Sequence, residues 1–129
     1  MPLQSLYLPP GISDISTLKN MSLIYLFTPF SNLSDLSVLN GMKLEKLDLT
    51  GAKTSNISPL RGMPLLELNL QGCENLKDIS PLADCRKLEK LAIPSSVSNP
   101  ELLRKLPSLT NIDSRWPPGP AEIFWKDHN

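Results

Sequence analysis

Aliphatic residues recur along the chain in the order Leu-x-x-Leu-x-Leu, and six copies of this pattern follow one another. The copies begin at Leu3, Leu23, Leu44, Leu65, Leu88 and Leu109. Successive copies therefore start 20, 21, 21, 23 and 21 residues apart, and the second and sixth copies end on Thr28 and Ser114 instead of an aliphatic residue. Because side chains alternate between the two faces of a strand, each x-Leu-x-Leu-x stretch predicts one short β-strand.

A second motif keeps the same phase and predicts a return turn after each strand. Four clear copies and a degraded fifth copy span residues 14–18, 35–39, 56–60, 78–82 and 99–103. Too few residues follow for a full α-helix, so each copy predicts a 3₁₀ turn or a β-turn. Ser58 and Ser80 stand before a proline, as an N-cap residue would. The carboxylates of Asp14, Asp35 and Asp78 are expected to accept orphan backbone N–H groups.

The two motifs together predict a solenoid. A unit of 20 to 23 residues holds one strand and one return turn, and it cannot bury its own apolar face. Copies must therefore stack side by side, which places the strands in one parallel sheet and their leucines in a continuous buried column. Gly51 and Gly72 each stand two residues after the last strand leucine, where the chain must turn sharply.

The Leu-x-x-Leu-x-Leu strand and the Asp-Ile-Ser-Pro-Leu turn resemble the leucine-rich repeat family, in its short bacterial subclass. That subclass occurs in internalins. The chain also resembles the repeat arrays attached to serine/threonine protein kinases of planctomycete- and verrucomicrobial-type bacteria. The resemblance implies an α/β solenoid: a right-handed superhelix with a parallel β-sheet on its concave face and short 3₁₀ or turn segments on its convex face.

One repeat position separates these two resemblances. The family commonly has Asn or Cys three residues after the last strand leucine. This chain has small residues there, namely Gly11, Ser31, Ala52, Cys73 and Ser96. The missing Asn ladder favours the kinase-associated arrays over the internalins, and the closing segment 121–126 is similar to the end of those arrays. The chain contains no glycine-rich loop and no His-Arg-Asp loop, so any kinase domain would lie outside it.

The repeats predict an array of about six coils over residues 1–115 and a C-terminal capping segment over residues 116–129. Leu3 already belongs to a strand, so no cap precedes the first coil. We therefore expect a fragment of a longer protein, or a partner that covers this edge. Trp116, the proline-rich stretch 117–120 and residues 123–125 are expected to fold back over the last coil.

The amino-acid composition of the chain argues against several classes of protein. Lys+Arg and Asp+Glu both number 13, which argues against a nucleic-acid binder and a polybasic membrane-surface protein. The single histidine, His128, and the two cysteines form no readable metal cluster or nucleophile–base pair, so we expect no enzyme, cofactor or metal. Cys73 and Cys85 are interpreted as buried structural thiols. No signal peptide or transmembrane segment is visible, which predicts a cytoplasmic location by default if the chain is complete.

The residues between the strand leucines form the predicted binding surface on the concave face. Its candidate binding residues are Tyr7, Tyr25, Phe27, Lys46, Asp48, Glu67, Asn69 and Lys90. The three aromatic residues are interpreted as anchors for a partner, with the alternative that missing coils or a cap cover them. Lys46, Glu67 and Lys90 are predicted to align in one row, where opposite charges on neighbouring strands would stabilise the sheet.

These features predict a non-catalytic module that recognises a protein or peptide. The resemblance implies an appended region of a larger bacterial signalling protein, such as a serine/threonine kinase. Two alternatives stay open: a structural spacer that associates edge to edge through the N-terminal coil, and an internalin-like cell-surface adhesin. We expect neither nucleic-acid binding nor membrane insertion by this segment.

Overall fold

Each repeat of the chain forms one three-residue strand in a computed structural model that describes residues 4–127. The strands are β1 (Ser5–Tyr7), β2 (Tyr25–Phe27), β3 (Lys46–Asp48), β4 (Glu67–Asn69), β5 (Lys90–Ala92) and β6 (Asn111–Asp113). All six lie where the leucine pattern predicts them. Leu3, the predicted start of the first copy, and His128 lie outside the described residues.

The six strands form one parallel sheet in chain order, from β1 to β6. The pairing register stacks the central residue of each strand directly on that of the next strand. From β2 to β6 these central residues are Leu26, Leu47, Leu68, Leu91 and Ile112. Each of the five is at most 2% exposed, so they form the predicted buried column. The sheet and its column confirm the predicted solenoid.

Short 3₁₀ helices connect the strands, as the second motif predicts. They span Ser16–Leu18, Ser37–Leu39, Ser58–Leu60, Ser80–Asp84 and Pro100–Lys105. The first four each bury their closing motif leucine, which is Leu18, Leu39, Leu60 or Leu82. The fifth is longer and begins at Pro100, in the degraded copy of the motif. Each return segment therefore adds one buried leucine to the core beneath the sheet.

The prediction that Ser58 and Ser80 act as N-caps is wrong. Each serine is the first residue of its 3₁₀ helix, and the preceding Ile57 and Ile79 make no side-chain cap. The capping group lies two residues before the serine. Asp78 Oδ1 accepts the N–H of Ser80 at 2.9 Å, and Asn56 Oδ1 accepts that of Ser58 at the same distance. A side chain of Asp or Asn reaches the N–H two residues later without any helical geometry, which explains why this position carries the cap.

The prediction for the acidic residues of this motif is confirmed. Asp14 and Asp35 accept the N–H groups of Ser16 and Ser37, each at 2.9 Å. These hydrogen bonds, joined by one from the serine hydroxyl, hold the pKa of each aspartate below its ordinary value of 3.8. Asn99, in the degraded fifth copy, bonds to the coil before it instead: its Oδ1 accepts the N–H of Ile79 at 3.2 Å.

The C-terminal segment closes the last coil. Pro120 pairs with Asn111 in an antiparallel bridge beside β6, and the N–H of Ile112 donates to Gly119 O at 3.0 Å. Helix α1 (Ala121–Asp127) then packs against β6 and buries Phe124 in the core. The division of the chain between residues 115 and 116 stays a prediction. No helix among residues 4–127 combines the length and the hydropathy needed to cross a bilayer.

We expect Asp35→Asn to be slightly less stable than the natural chain at neutral pH, because Asn keeps the Oδ1 acceptor, as Asn56 does in the third turn, but lacks the charge. The folded pKa of Asp35 is depressed, so its ionised form stabilises the fold above the ordinary value of 3.8, and this contribution is lost as the pH falls through the folded pKa. The difference in stability between the natural chain and Asp35→Asn, measured by urea unfolding, should therefore shrink as the pH falls below 3.8.

Asp35→Ala is the matched control, since it removes both the acceptor and the charge. Asp35→Ala should be less stable at neutral pH than both the natural chain and Asp35→Asn. Equal acid sensitivity of the Asn variant and the natural chain would contradict the role assigned to this carboxylate.

Candidate functional site

The outward-facing residues of the sheet fall into two rows, because the pairing register places equivalent positions side by side. The first row contains Ser5, Tyr25, Lys46, Glu67, Lys90 and Asn111. The second row contains Tyr7, Phe27, Asp48, Asn69, Ala92 and Asp113. We call the two rows together the sheet face. All eight candidate binding residues lie on it, and Lys46, Glu67 and Lys90 align as predicted.

Aromatic rings cover the N-terminal end of the sheet face. Tyr7 and Phe27 stack in parallel, with ring centroids 4.4 Å apart and an interplanar angle of 12°. Tyr7 remains 73% exposed, while Phe27 is half-buried. Tyr25 lies in the neighbouring row, where the Lys46 ammonium is 5.3 Å from its ring centroid. This geometry leaves the Tyr7 ring open to solvent beside two partly buried rings on β2.

Charged side chains occupy the centre of the first row. Lys46 Nζ lies 3.4 Å from Glu67 Oε2 across β3 and β4, and both side chains are partly exposed. A cross-strand pair of this kind stabilises a sheet by about 0.2–1 kcal/mol. Lys90 continues the row on β5 and is exposed. The charges therefore support the sheet and also give its surface a fixed alternation of sign.

Two of the candidate binding residues are engaged in holding their own turns. Asn69 is only 5% exposed, and its Oδ1 accepts the N–H of Gln71 at 3.0 Å. Asp48 Oδ1 accepts the N–H of Thr50 at 2.9 Å and its hydroxyl at 2.6 Å. The expectation that Asn69 is open on the surface therefore has to be corrected. Both residues terminate a strand by the same side-chain-to-backbone hydrogen bond that opens the 3₁₀ helices.

Trp116 lies on the sheet face, a position that the repeat pattern does not reveal. Its backbone N–H donates to Gln71 Oε1 at 3.0 Å, across 45 residues of sequence. It lines a small pocket, here called the Trp116 pocket, of about 40 Å³. The other residues that line this pocket are Phe27, Lys46, Leu47, Asp48, Glu67 and Asn69. The sequence predicts Trp116 over the last coil, whereas the structure places it over β3 and β4.

Phe30 is a second residue that the sequence analysis did not single out. It lies two residues after Thr28, the last position of the second leucine pattern, and Gly51 and Gly72 occupy the equivalent place in the next two coils. All three have a positive φ: 54° at Phe30, 73° at Gly51 and 75° at Gly72. A side chain in this region costs roughly 1–2 kcal/mol, and the Phe30 ring is 68% exposed. A phenylalanine in a glycine position of the repeat is the signal that could have identified it.

The cysteines lie within the core. Cys73 Sγ donates to Leu49 O at 3.0 Å, and Cys85 Sγ to Leu60 O at 3.3 Å. Burial raises the pKa of Cys73 to about 11 and also raises that of Cys85, so neither thiol ionises near neutral pH. Both are free and buried, in line with the structural interpretation. Over residues 4–127, no group of three or more His, Cys, Asp or Glu side chains is arranged to hold a metal ion.

Solved structures of internalins from Listeria monocytogenes resemble this chain. An internalin (InlF) is 31% identical, with a TM-score of 0.73, over 80% of this chain and 33% of that protein. An internalin C2 is 27% identical, with a TM-score of 0.68, over 86% of this chain and 51% of that protein. The chain thus spans about a third to a half of these structures. No family model and no curated protein matches the sequence. The internalin likeness confirms the predicted leucine-rich repeat solenoid.

Replacing Phe30 by glycine should stabilise the fold. Relief of the positive φ contributes roughly 1–2 kcal/mol, and the extra flexibility of glycine in the unfolded chain offsets about 0.5–1 kcal/mol of it. We therefore expect a gain of about 0.5–1 kcal/mol, measured by chemical denaturation. Gly51→Ala is the matched control and should lose stability, because it places a side chain where φ is 73°. A loss of stability in Phe30→Gly would contradict the strain assigned to this position.

Proposed function

We propose that the chain is a non-catalytic leucine-rich repeat module that recognises a protein or peptide on its sheet face. The observation that carries the proposal is the stacked Tyr7–Phe27 pair, because Tyr7 is 73% exposed at the outer end of an ordered sheet. Exposed large aromatic residues are enriched among the anchors of protein interfaces, since they bury much apolar area with few rotatable bonds. Their position on adjacent strands favours a partner that crosses the sheet.

Aromatic and charged residues of the sheet face make different contributions to recognition. Tyr7, Tyr25 and Phe27 act as apolar anchors, each contributing on the order of 1.5–3 kcal/mol when fully buried. Lys46, Glu67 and Lys90 present alternating charges beside them, which select the orientation and the charge pattern of the partner. Because the buried leucine column holds the strands, the face needs little reordering on binding, and this limits the entropic cost of association. Asp48 and Asn69 contribute to the face by fixing the ends of β3 and β4.

The likeness to two internalins supports a role as a repeat module within a longer protein, since the chain spans 33% and 51% of their length. We propose that it is appended to a larger bacterial signalling protein, such as a serine/threonine kinase. That placement rests on the small residues at the Asn-ladder position and on the closing segment 121–126. The internalin-like adhesin and the structural spacer are the alternatives. The raised pKa of both buried thiols supports a module without a cysteine nucleophile.

Peptides selected for binding from a random display library should depend on the aromatic residues of the sheet face. We expect Tyr7→Ala and Tyr25→Ala each to weaken binding of the selected peptides at least about tenfold by isothermal calorimetry, as removal of an anchor does. The melting temperature should fall only slightly with Tyr7→Ala, because that side chain is mostly exposed and loses only its stacking on Phe27. Ile123→Ala is the matched control: it removes another exposed apolar side chain, 56% exposed, on helix α1.

Two results would contradict the proposal: a selection that enriches no binder, and binders that are indifferent to both tyrosines. Sedimentation of the unliganded chain separates the spacer alternative. Association that grows with protein concentration and is unaffected by Tyr7→Ala would favour edge-to-edge assembly over ligand recognition.

A further inference from the structure

We infer that Trp116 occupies the position on the sheet face that an aromatic side chain of the partner takes. This inference deepens the proposed function and rests on it. The partner element would be an extended protein segment that carries a large aromatic residue, and it would bind by displacing the loop that holds Trp116.

The first argument is the geometry of the Trp116 pocket. Its walls combine the ring of Phe27 with the charged side chains of Lys46 and Glu67, and Asp48 and Asn69 close it at the strand ends. When Trp116 leaves, a large aromatic ring of the partner can take the place of its side chain, because the face of such a ring packs on apolar groups. Gln71 adds a polar contact to the backbone of the visiting segment, through the 3.0 Å bond from the Trp116 N–H. The site therefore holds one side chain and one backbone group of an extended segment.

The second argument is continuity along the second row. Tyr7 and Phe27 supply aromatic rings on β1 and β2, and the row then turns polar at Asp48 and Asn69. Trp116 lies at this transition and extends the aromatic surface as far as β4. Three strand spacings separate β1 from β4, which is about 14 Å. The inner end of this surface is thus filled by the chain itself, while its outer end at Tyr7 is 73% exposed.

The third argument is that a single hydrogen bond holds the Trp116 loop on the sheet face, while the base of the loop is fixed separately. Asp113 closes the base of the loop: its Oδ1 accepts the N–H of Ser114 at 2.7 Å, and its Oδ2 accepts that of Gly119 at 3.4 Å. The bridge between Asn111 and Pro120 lies beyond this base. Among residues 4–127, the bond to Gln71 is the only hydrogen bond that joins residues 114–117 to strands β1–β5 or the turns that follow them. Displacement therefore exchanges this single hydrogen bond for one to water or to the partner. It also exchanges the packing of the Trp116 side chain for that of the partner's aromatic ring.

The chain supplies its own probe for this inference. A segment tethered by a short loop has an effective concentration of about 1–10 mM, so a site that is mostly filled in the native chain should bind the same segment in trans with a Kd of about 1 mM or below. We would titrate a peptide of residues 113–119, Asp-Ser-Arg-Trp-Pro-Pro-Gly, into the ¹⁵N-labelled Trp116→Ala chain. We expect saturable shifts of the amide signals of Asp48, Asn69 and Gln71.

Comparisons with other variants and with a second peptide make the result specific. The natural chain should bind the peptide about tenfold more weakly, because its own Trp116 already covers this part of the sheet face. The peptide with alanine in place of tryptophan should give no saturable shift. Phe27→Ala in the Trp116→Ala background should weaken binding at least tenfold, whereas Ile123→Ala should leave it unchanged. Asp113→Ala keeps Trp116 and Gln71 but releases the base of the loop. It should therefore bind the peptide more tightly than the natural chain, and it serves as the second variant if Trp116→Ala does not fold.

Absence of saturable binding by both Trp116→Ala and Asp113→Ala, or equal binding of the alanine peptide, would overturn the inference. The proposed function fails separately. A library peptide that needs Tyr7, binds Trp116→Ala no more tightly than the natural chain and leaves the Gln71 amide signal in place would refute the displacement of Trp116 while supporting recognition on the sheet face. If the 113–119 peptide binds but no library peptide depends on Tyr7, the result would support a binding site at the Trp116 position and refute the aromatic anchors of the proposed function.

Discussion

The stacking of one leucine on another across neighbouring coils is the interaction on which the whole structure depends. A three-residue strand with one short return turn buries almost nothing by itself, so a single repeat has no stable fold. The column from Leu26 to Ile112 makes the repeats stable together, because each coil covers the apolar face of the coil before it. Register follows directly, since a shift by one residue would place the leucines in water and the polar residues in the core.

The buried column also determines the surface. Once the leucines are in register, the residues on either side of them must form straight rows, and their order along each row is the order of the coils. A partner therefore meets a pattern that individual side chains cannot rearrange: aromatic rings on β1 and β2, and alternating charges from β3 to β5. Repeat proteins can change this outer pattern freely because the column does not depend on it.

The places where the chain departs from its own repeat lie around this surface. Phe30 has a backbone conformation that Gly51 and Gly72 adopt without cost, and its ring is largely exposed. Trp116 reaches back from the end of the array to the middle of the sheet face. Neither feature adds to the leucine column, and the first opposes stability. Departures of this kind are expected where a protein meets a ligand, because binding selects for surface chemistry that folding alone does not require.

The sequence by itself determined the solenoid, the six strands, the two rows of the sheet face and the acidic caps of the return turns. These features repeat with one period and depend on contacts between adjacent coils or within a few residues, so a linear pattern contains them. Only the tertiary structure decided that Asn69 is buried, that Phe30 is exposed with a positive φ, and that Trp116 lies over β3 and β4. The path of the loop from residue 114 to 119 depends on a contact across 45 residues, which occurs once and has no period to reveal it. The serine N-caps were mispredicted for a local reason: a serine before a proline resembles a cap, but the side chain two residues earlier already satisfies the same N–H group.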